Sequence, residues 1–204
     1  MTVVVATTNP YKLVEIRRIL AGLPCAIDAI SDHVEVTAPA ETGTTFAENA
    51  RLKALHYAAV VPHLTVAEDS GLEIDRLDGA PGIHSARLPG MTYQDKFDRI
   101  YAQLRARGVR TSPARFVCAV ALVKGREVVF EATGTIEGEI AETPSGAGGF
   151  GYDPIFFYRP YGCTLAEITA ECKEAVSHRG TAFRSLRTFL LKRIPPGLVS
   201  TTAG

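Results

Sequence analysis

Apolar residues along the chain follow two spacings. Short β-branched or continuous apolar runs at residues 3–5, 64–67 and 116–123 read as buried strands. Other stretches place apolar residues every three or four positions, as on one face of a helix: Leu13, Ile16 and Leu20 in the first, Phe97, Ile100, Tyr101 and Leu104 over residues 93–107, and Phe183, Leu186 and Leu190 in the last. Punctuation fixes several ends. Asn9 and Pro10 suit the N-cap and first position of a helix, since the asparagine oxygen can accept a helix N–H and proline has none to satisfy. Thr45 and Glu48 have capping-box spacing before a helix over residues 46–60, as do Thr164 and Glu167 before one reaching about residue 173. Ser70-Gly71 reads as a turn that ends the strand over 64–67, with residues 72–75 as a second short strand. Residues 29–37 offer at most a short strand. Lys124-Gly125 joins residues 116–123 to residues 128–136 as a hairpin, whose first strand is apolar enough to be central and covered on both sides. Gly108 ends the helix before the hairpin, and Pro195 with Pro196 stops the last helix. The sum is an α/β chain with a mixed sheet.

Composition narrows the class. The 204 residues carry 22 basic and 22 acidic side chains, so no net charge draws the chain to nucleic acid or an anionic membrane, and an anionic ligand must be held by local charge. No apolar stretch approaches the roughly 18 residues that span a bilayer, and residues 1–7 enter a strand-like run without the basic and apolar regions of a signal peptide. Cys25, Cys118, Cys163 and Cys172 lack paired C-x-x-C spacing and are expected as free thiols in a cytoplasmic protein.

Four stretches carry candidate chemistry. Glu68 and Asp69 are adjacent acids directly after an apolar run, where buried carboxylates need a metal, a basic partner or water. Lys12 lies in a first helical turn, where a cation opposes the helix dipole: it is either a solvated lysine or the partner of an anion bound at the helix start. Residues 145–154 hold glycines at 146, 148, 149 and 151 beside Phe150 and Tyr152, rings that could stack on a ligand or fold back on the core. His178 and Arg179 place donors beside another helix start. Asn49 and Lys53, four apart on one helix side, read as a solvated polar face. Phosphates bind amides and lysines, Mg²⁺ binds carboxylates and bases stack on rings, so the set together describes a nucleoside triphosphate with its metal.

Residues 6–12, 41–50, 67–87, 148–156 and 173–180 carry, in order, five blocks that resemble the inosine triphosphate pyrophosphatase family, the dITP/XTP pyrophosphatases. The resemblance runs almost end to end. It implies one domain over residues 1–204, with two lobes around an elongated central mixed sheet, a cleft between the lobes and a homodimer. It implies hydrolysis of non-canonical purine nucleoside triphosphates (ITP, dITP, XTP, dXTP) to monophosphate and pyrophosphate with Mg²⁺, clearing them from the nucleotide pool. By position, Thr7, Thr8, Asn9, Pro10, Tyr11 and Lys12 resemble the triphosphate loop. Glu41, Glu68 and Asp69 resemble the acids for Mg²⁺, Asp69 doubling as the proton acceptor, and Ser70 a substrate contact. Phe150, Gly151, Tyr152, Asp153, Lys173, His178 and Arg179 resemble the nucleoside pocket, with residues 84–87 as a wall of the cleft. Three positions depart from the family: Thr8 and Tyr11 stand where glycine is frequent, and Glu68 where aspartate is usual. The related Maf-like pyrophosphatases and a protein that only sequesters damaged nucleotides are the competing readings.

Overall fold

The computed structural model describes residues 1–35, 37–86 and 91–193. In chain order it holds β1 (Thr2–Val5), α1 (Pro10–Ile19), β2 (Ala26–Ala29), α2 (Phe46–Ala58), β3 (Leu64–Ile74), α3 (Tyr93–Ala106), β4 (Pro113–Lys124), β5 (Glu127–Ile140), β6 (Phe156–Tyr158), β7 (Cys163–Thr164), α4 (Ala170–Val176) and α5 (His178–Arg193). The strands form one sheet in the order β2-β1-β3-β4-β5-β6-β7. β1 runs parallel to β2 and β3, and the pairings from β3 onward are antiparallel, so the sheet is mixed and β4 stands at its centre, as the apolar run predicted. Among the described residues no helix is long and apolar enough to cross a membrane.

The largest departure from the sequence reading is at Ser70-Gly71. No turn forms there. β3 runs unbroken for 11 residues, and its register against β4 is continuous from Thr65 to Ile74. Gly71 is required for a different reason than a turn. A Cβ at this position would lie 2.5 Å from the Gly82 carbonyl oxygen, 2.5 Å from Ser85 Oγ and 2.9 Å from the Phe46 ring. The glycine lets two neighbouring segments lie directly against the strand.

Smaller departures have similar causes. The strand expected within residues 29–37 lies earlier, at β2, where it pairs with β1. Thr164 does bind Glu167 as a capping box would, its N–H donating to Oε2 at 2.7 Å, but Thr164 belongs to edge strand β7. The helix therefore starts later, at α4, capped by Thr169. α5 includes His178 and Arg179 in its first turn, with the Gly180 N–H donating to Ser177 Oγ at 2.9 Å. The caps at Asn9 and at Thr45 with Glu48 form as expected. Pro195 and Pro196 lie outside the described residues.

Strand alternation distributes the core. On one face of β3, Val66 joins a core built with Ile16 of α1, Leu20 at its C-terminal end, and Phe183, Leu186 and Leu190 of α5. Further along the same face, Leu72 and Ile74 join a second core with Phe97 and Leu104 of α3 and Phe156 of β6. Between Val66 and Leu72 that face carries Glu68 and Ser70, so the gap between the two cores is written into β3 as two polar residues. The opposite face presents Ala67, with Ala119 and Ala121 of β4, to Ala50 and Ala54 of α2. Small residues there bring α2 close to the sheet.

Gly71→Ala should overpack this close contact and lower stability by about 1–3 kcal/mol. Urea unfolding of the variant beside the parent measures it, and an unchanged midpoint would show that the neighbouring segments have room to withdraw.

Candidate functional site in the cleft between the two cores

Glu68 lies at the floor of the gap, with its side chain 1% exposed. Three groups converge on it. Lys12 Nζ, from the first turn of α1, lies 2.9 Å from Oε1; Arg179 Nη2, from the first turn of α5, lies 3.0 Å from the same oxygen; and Cys118 Sγ of β4 donates to Oε2 at 2.9 Å. Burial acts to raise the Glu68 carboxyl, but Arg179 and then Lys12 override it and hold it well below the usual carboxylate range. Cys118 moves the other way: burial, and then the Glu68 charge, push its thiol well up, so it stays protonated and serves as a donor.

The guanidinium of Arg179 gathers further groups. It donates to Ser70 Oγ at 3.0 Å and to Glu15 Oε2 at 2.8 Å. Glu15 also accepts from Lys173 Nζ at 2.8 Å, and Lys173 meets Asp153 at 2.5 Å. Asp153 in turn accepts the Phe150 N–H at 2.7 Å, which ties the glycine-rich loop to α4. The expected triphosphate loop and nucleoside pocket are thus parts of one charge network. Within the loop, Asn9 Oδ1 accepts the N–H groups of Tyr11 and Lys12, and Thr7 Oγ1 accepts that of Asn9. Thr8 and Pro10 are exposed.

The two loop aromatics divide between the two roles left open by the sequence. Tyr152 folds back: it is buried in the second core, and its hydroxyl donates to the Ser85 carbonyl at 2.8 Å. Phe150 faces the cleft, with Lys173 Nζ 4.5 Å from its ring centre and the Tyr11 ring stacked at 5.6 Å. Gly151 completes this wall with φ +70°, in the left-handed region that glycine adopts readily. Across the cleft, the His178 ring stacks on Phe116 with centroids 4.9 Å apart. Burial, and then the charge of Arg179, hold His178 well below its ordinary value, so the ring is neutral. Its Nδ1 and the Nε of Arg179 are buried without a hydrogen-bond partner among the described residues. Gly134 of β5 makes this placement possible, since a Cβ there would lie 2.1 Å from the His178 carbonyl oxygen.

Asp69, one residue on from Glu68, points to the opposite face. Lys53 Nζ of α2 lies 2.9 Å from its Oδ1 and 3.1 Å from Glu41 Oε1, and Asn49 Nδ2 donates to its Oδ2 at 3.3 Å. Two expectations change here. Asn49 and Lys53 are not a solvated face: Asn49 is fully buried, its Oδ1 accepting the Gly43 N–H at 2.9 Å. The three acids expected as one metal cluster are divided by the strand, with Glu41 and Asp69 on the α2 side and Glu68 on the other. Among the described residues, no group of three or more His, Cys, Asp or Glu side chains is gathered for a metal. Glu41 and Asp69 nonetheless converge on one ammonium, and two hard oxygen donors fit Mg²⁺, which is commonly held by one or two carboxylates together with substrate phosphates.

Glu15, Lys53 and Cys118 join the site without a motif of their own, and Asn49 joins it from the block at residues 41–50. Glu15 and Lys12 do share a helical spacing of three, the one available sign that they face the same way. Of residues 84–87, Ser85 and Ala86 line the cleft, His84 is exposed, and Arg87 lies outside the described residues.

Comparison with known proteins shows the family of the chain. The sequence model of the Ham1 family matches residues 3–189. A protein of an Exiguobacterium species named dITP/XTP pyrophosphatase is 41% identical over 191 residues, covering 94% of this chain and 97% of that one. One of the same name from Frankia alni is 45% identical over 199 residues, covering 93% and 97%. A solved HAM1 protein from Coxiella burnetii superposes with a TM-score of 0.86 at 36% identity, over 94% of this chain and 99% of that one. A match of this extent in both sequence and fold makes the chain a member of the Ham1 family.

Proposed function

We infer that this chain hydrolyses the non-canonical purine nucleoside triphosphates ITP, dITP, XTP and dXTP to the monophosphate and pyrophosphate. The observation that carries the reading is the cleft itself. Lys173 and Arg179 lie over the Phe150 ring, Lys12 lines the same cleft with the buried His178 Nδ1 and Arg179 Nε, and Asp69 and Glu41 stand just across β3. Cations, a ring and unfilled donors suit the phosphates, base and oxo group of such a substrate. We further propose that the chain acts as a single domain, in the cytoplasm, as a homodimer, and on free nucleotides rather than nucleic acid.

In this mechanism water attacks the α-phosphorus. A new P–O bond forms, the α–β anhydride bond breaks, and the pair of electrons leaves with pyrophosphate. Asp69 accepts the proton from the water; Lys53 and Asn49 hold its two oxygens in place for that transfer. Lys12 takes up charge of the phosphates at the start of α1, which releases it from part of its attraction to Glu68. Glu41 and Asp69 are the residues to hold Mg²⁺, which when bound supplies charge neutralisation on the phosphates.

Base choice follows from His178 and Arg179. Arg179 Nε is a donor, and neutral His178 carries one N–H, so the pocket offers hydrogens to a 6-oxo group. The amino group of adenine accepts none of them, and a buried donor left unpaired costs about 1–3 kcal/mol.

Incubation with Mg²⁺ and a nucleotide panel should release pyrophosphate and not orthophosphate, with kcat/KM for ITP above that for ATP by roughly 5- to 150-fold. Equal turnover of ITP and ATP would remove the base assignment, and orthophosphate as the product would remove the reaction. Asp69→Asn preserves shape and removes the charge, and its kcat should fall by on the order of 10²- to 10⁴-fold. Near-normal turnover of dITP by that variant would show that another group accepts the proton.

A further inference from the structure

We propose that Tyr11 is the second wall of the base site, so that the purine lies between the Tyr11 and Phe150 rings. The proposal rests on the nucleotide reading above and assigns this chain's tyrosine a role apart from the phosphates. The two rings are within 15° of parallel with centroids 5.6 Å apart. The cleft that Phe150 lines encloses about 70 Å³, well under the roughly 300–1,000 Å³ of a small-molecule site, and Tyr11 meets it through its stacking on that ring. Some wall must therefore give way when a nucleoside enters. His178, Arg179, Lys173 and Tyr152 are each at most 5% exposed and held by ring contacts, ion pairs or hydrogen bonds, whereas Tyr11 is 61% exposed and its ring stacks on Phe150 alone among the described aromatic pairs. Tyr93, which lines the cleft at 41% exposure, is held edge-on against Tyr152 and under the Lys96 ammonium, so Tyr11, stacked on Phe150, is the ring free to move.

The required motion is small. Two rings that sandwich a base stand about 7 Å apart, twice the ordinary van der Waals separation. The Tyr11 backbone need not move, because its N–H is fixed on Asn9 Oδ1 at 3.0 Å and the side chain alone can swing. Tyr11 also precedes Lys12, so the residue that covers the base and the residue that faces the phosphates share one helical turn. The tyrosine covers one face of the Phe150 ring, and a purine between the two rings would replace one stacking contact with two.

Three proteins test this: the parent chain, Tyr11→Gly and Tyr11→Phe. Each is assayed for kcat and KM with ITP, and for inhibition by inorganic tripolyphosphate, which has the phosphates but no base. A stacked base is worth about 5- to 150-fold in affinity. Tyr11→Gly should raise KM for ITP by at least the lower figure and leave the tripolyphosphate inhibition constant unchanged, and Tyr11→Phe should restore KM. The proposal is overturned by a KM for Tyr11→Gly within twofold of the parent or lower, by an equal loss of tripolyphosphate binding, or by a Tyr11→Phe protein as weak as Tyr11→Gly. Failure of the parent chain to release pyrophosphate from ITP would instead overturn the nucleotide reading and the proposal with it.

Discussion

A carboxylate buried between two apolar cores must be neutralised, and in this chain the requirement falls on Glu68. Left alone, an ionised acid at 1% exposure would be shed by protonation or by unfolding. Arg179 and Lys12 prevent both, and to reach Glu68 they must come from the first turns of α5 and α1. The demand for a counter-charge therefore draws two helix starts into one cleft. Glu15 extends the same logic, since the positive charge gathered by Arg179 and Lys173 needs a second acid. A buried network of this kind is not an efficient source of net stability, because desolvation consumes much of the attraction. Its return is position: it aligns the loop at residues 7–12, the glycine-rich loop and the start of α5 around one space.

The two-residue period of β3 then separates tasks. Glu68 and Ser70 face the cleft cations, whereas Asp69 faces α2, where Lys53 and Asn49 hold it beside Glu41. Adjacent positions in sequence become opposite sides of a sheet. That division explains how glutamate can stand at position 68. Its work is to reach two cations and a thiol on the cleft side, and the extra methylene relative to aspartate lengthens that reach.

Much of this was legible in the sequence. Periodicity located α1, α3 and the β4–β5 hairpin because each has an uninterrupted apolar face, and side-chain caps marked the starts of α1 and α2. What failed was local reading of residues whose reason is tertiary. Ser70-Gly71 has turn chemistry, but the glycine answers to Gly82, Ser85 and Phe46, which are distant in sequence or on another element. Asn49 and Lys53 look solvated on a helix wheel because the carboxylates that bury them, Glu41 and Asp69, come from outside the helix. Thr164 and Glu167 make the contact a capping box makes, yet pairing with β6 keeps Thr164 in a strand. For the site, the residues with motifs were found, whereas Glu15 has no sequence signal beyond its spacing from Lys12, and Cys118 has none, since it meets Glu68 through the pairing of β4 with β3.

The charge on Glu68 is the most direct point of attack. Glu68→Gln keeps the shape, replaces one acceptor oxygen by a donor amide and leaves Lys12 and Arg179 short of one counter-charge. At pH 7 urea unfolding should show a loss of about 3–5 kcal/mol. Because the folded carboxyl lies well below its ordinary value of 4.5, its contribution is present above that pH and declines as the solution is acidified through it, so the gap between the two proteins should narrow below about pH 4.5. A variant within about 0.5 kcal/mol of the parent at pH 7, with no narrowing in acid, would contradict the claim that this buried charge organises the cleft.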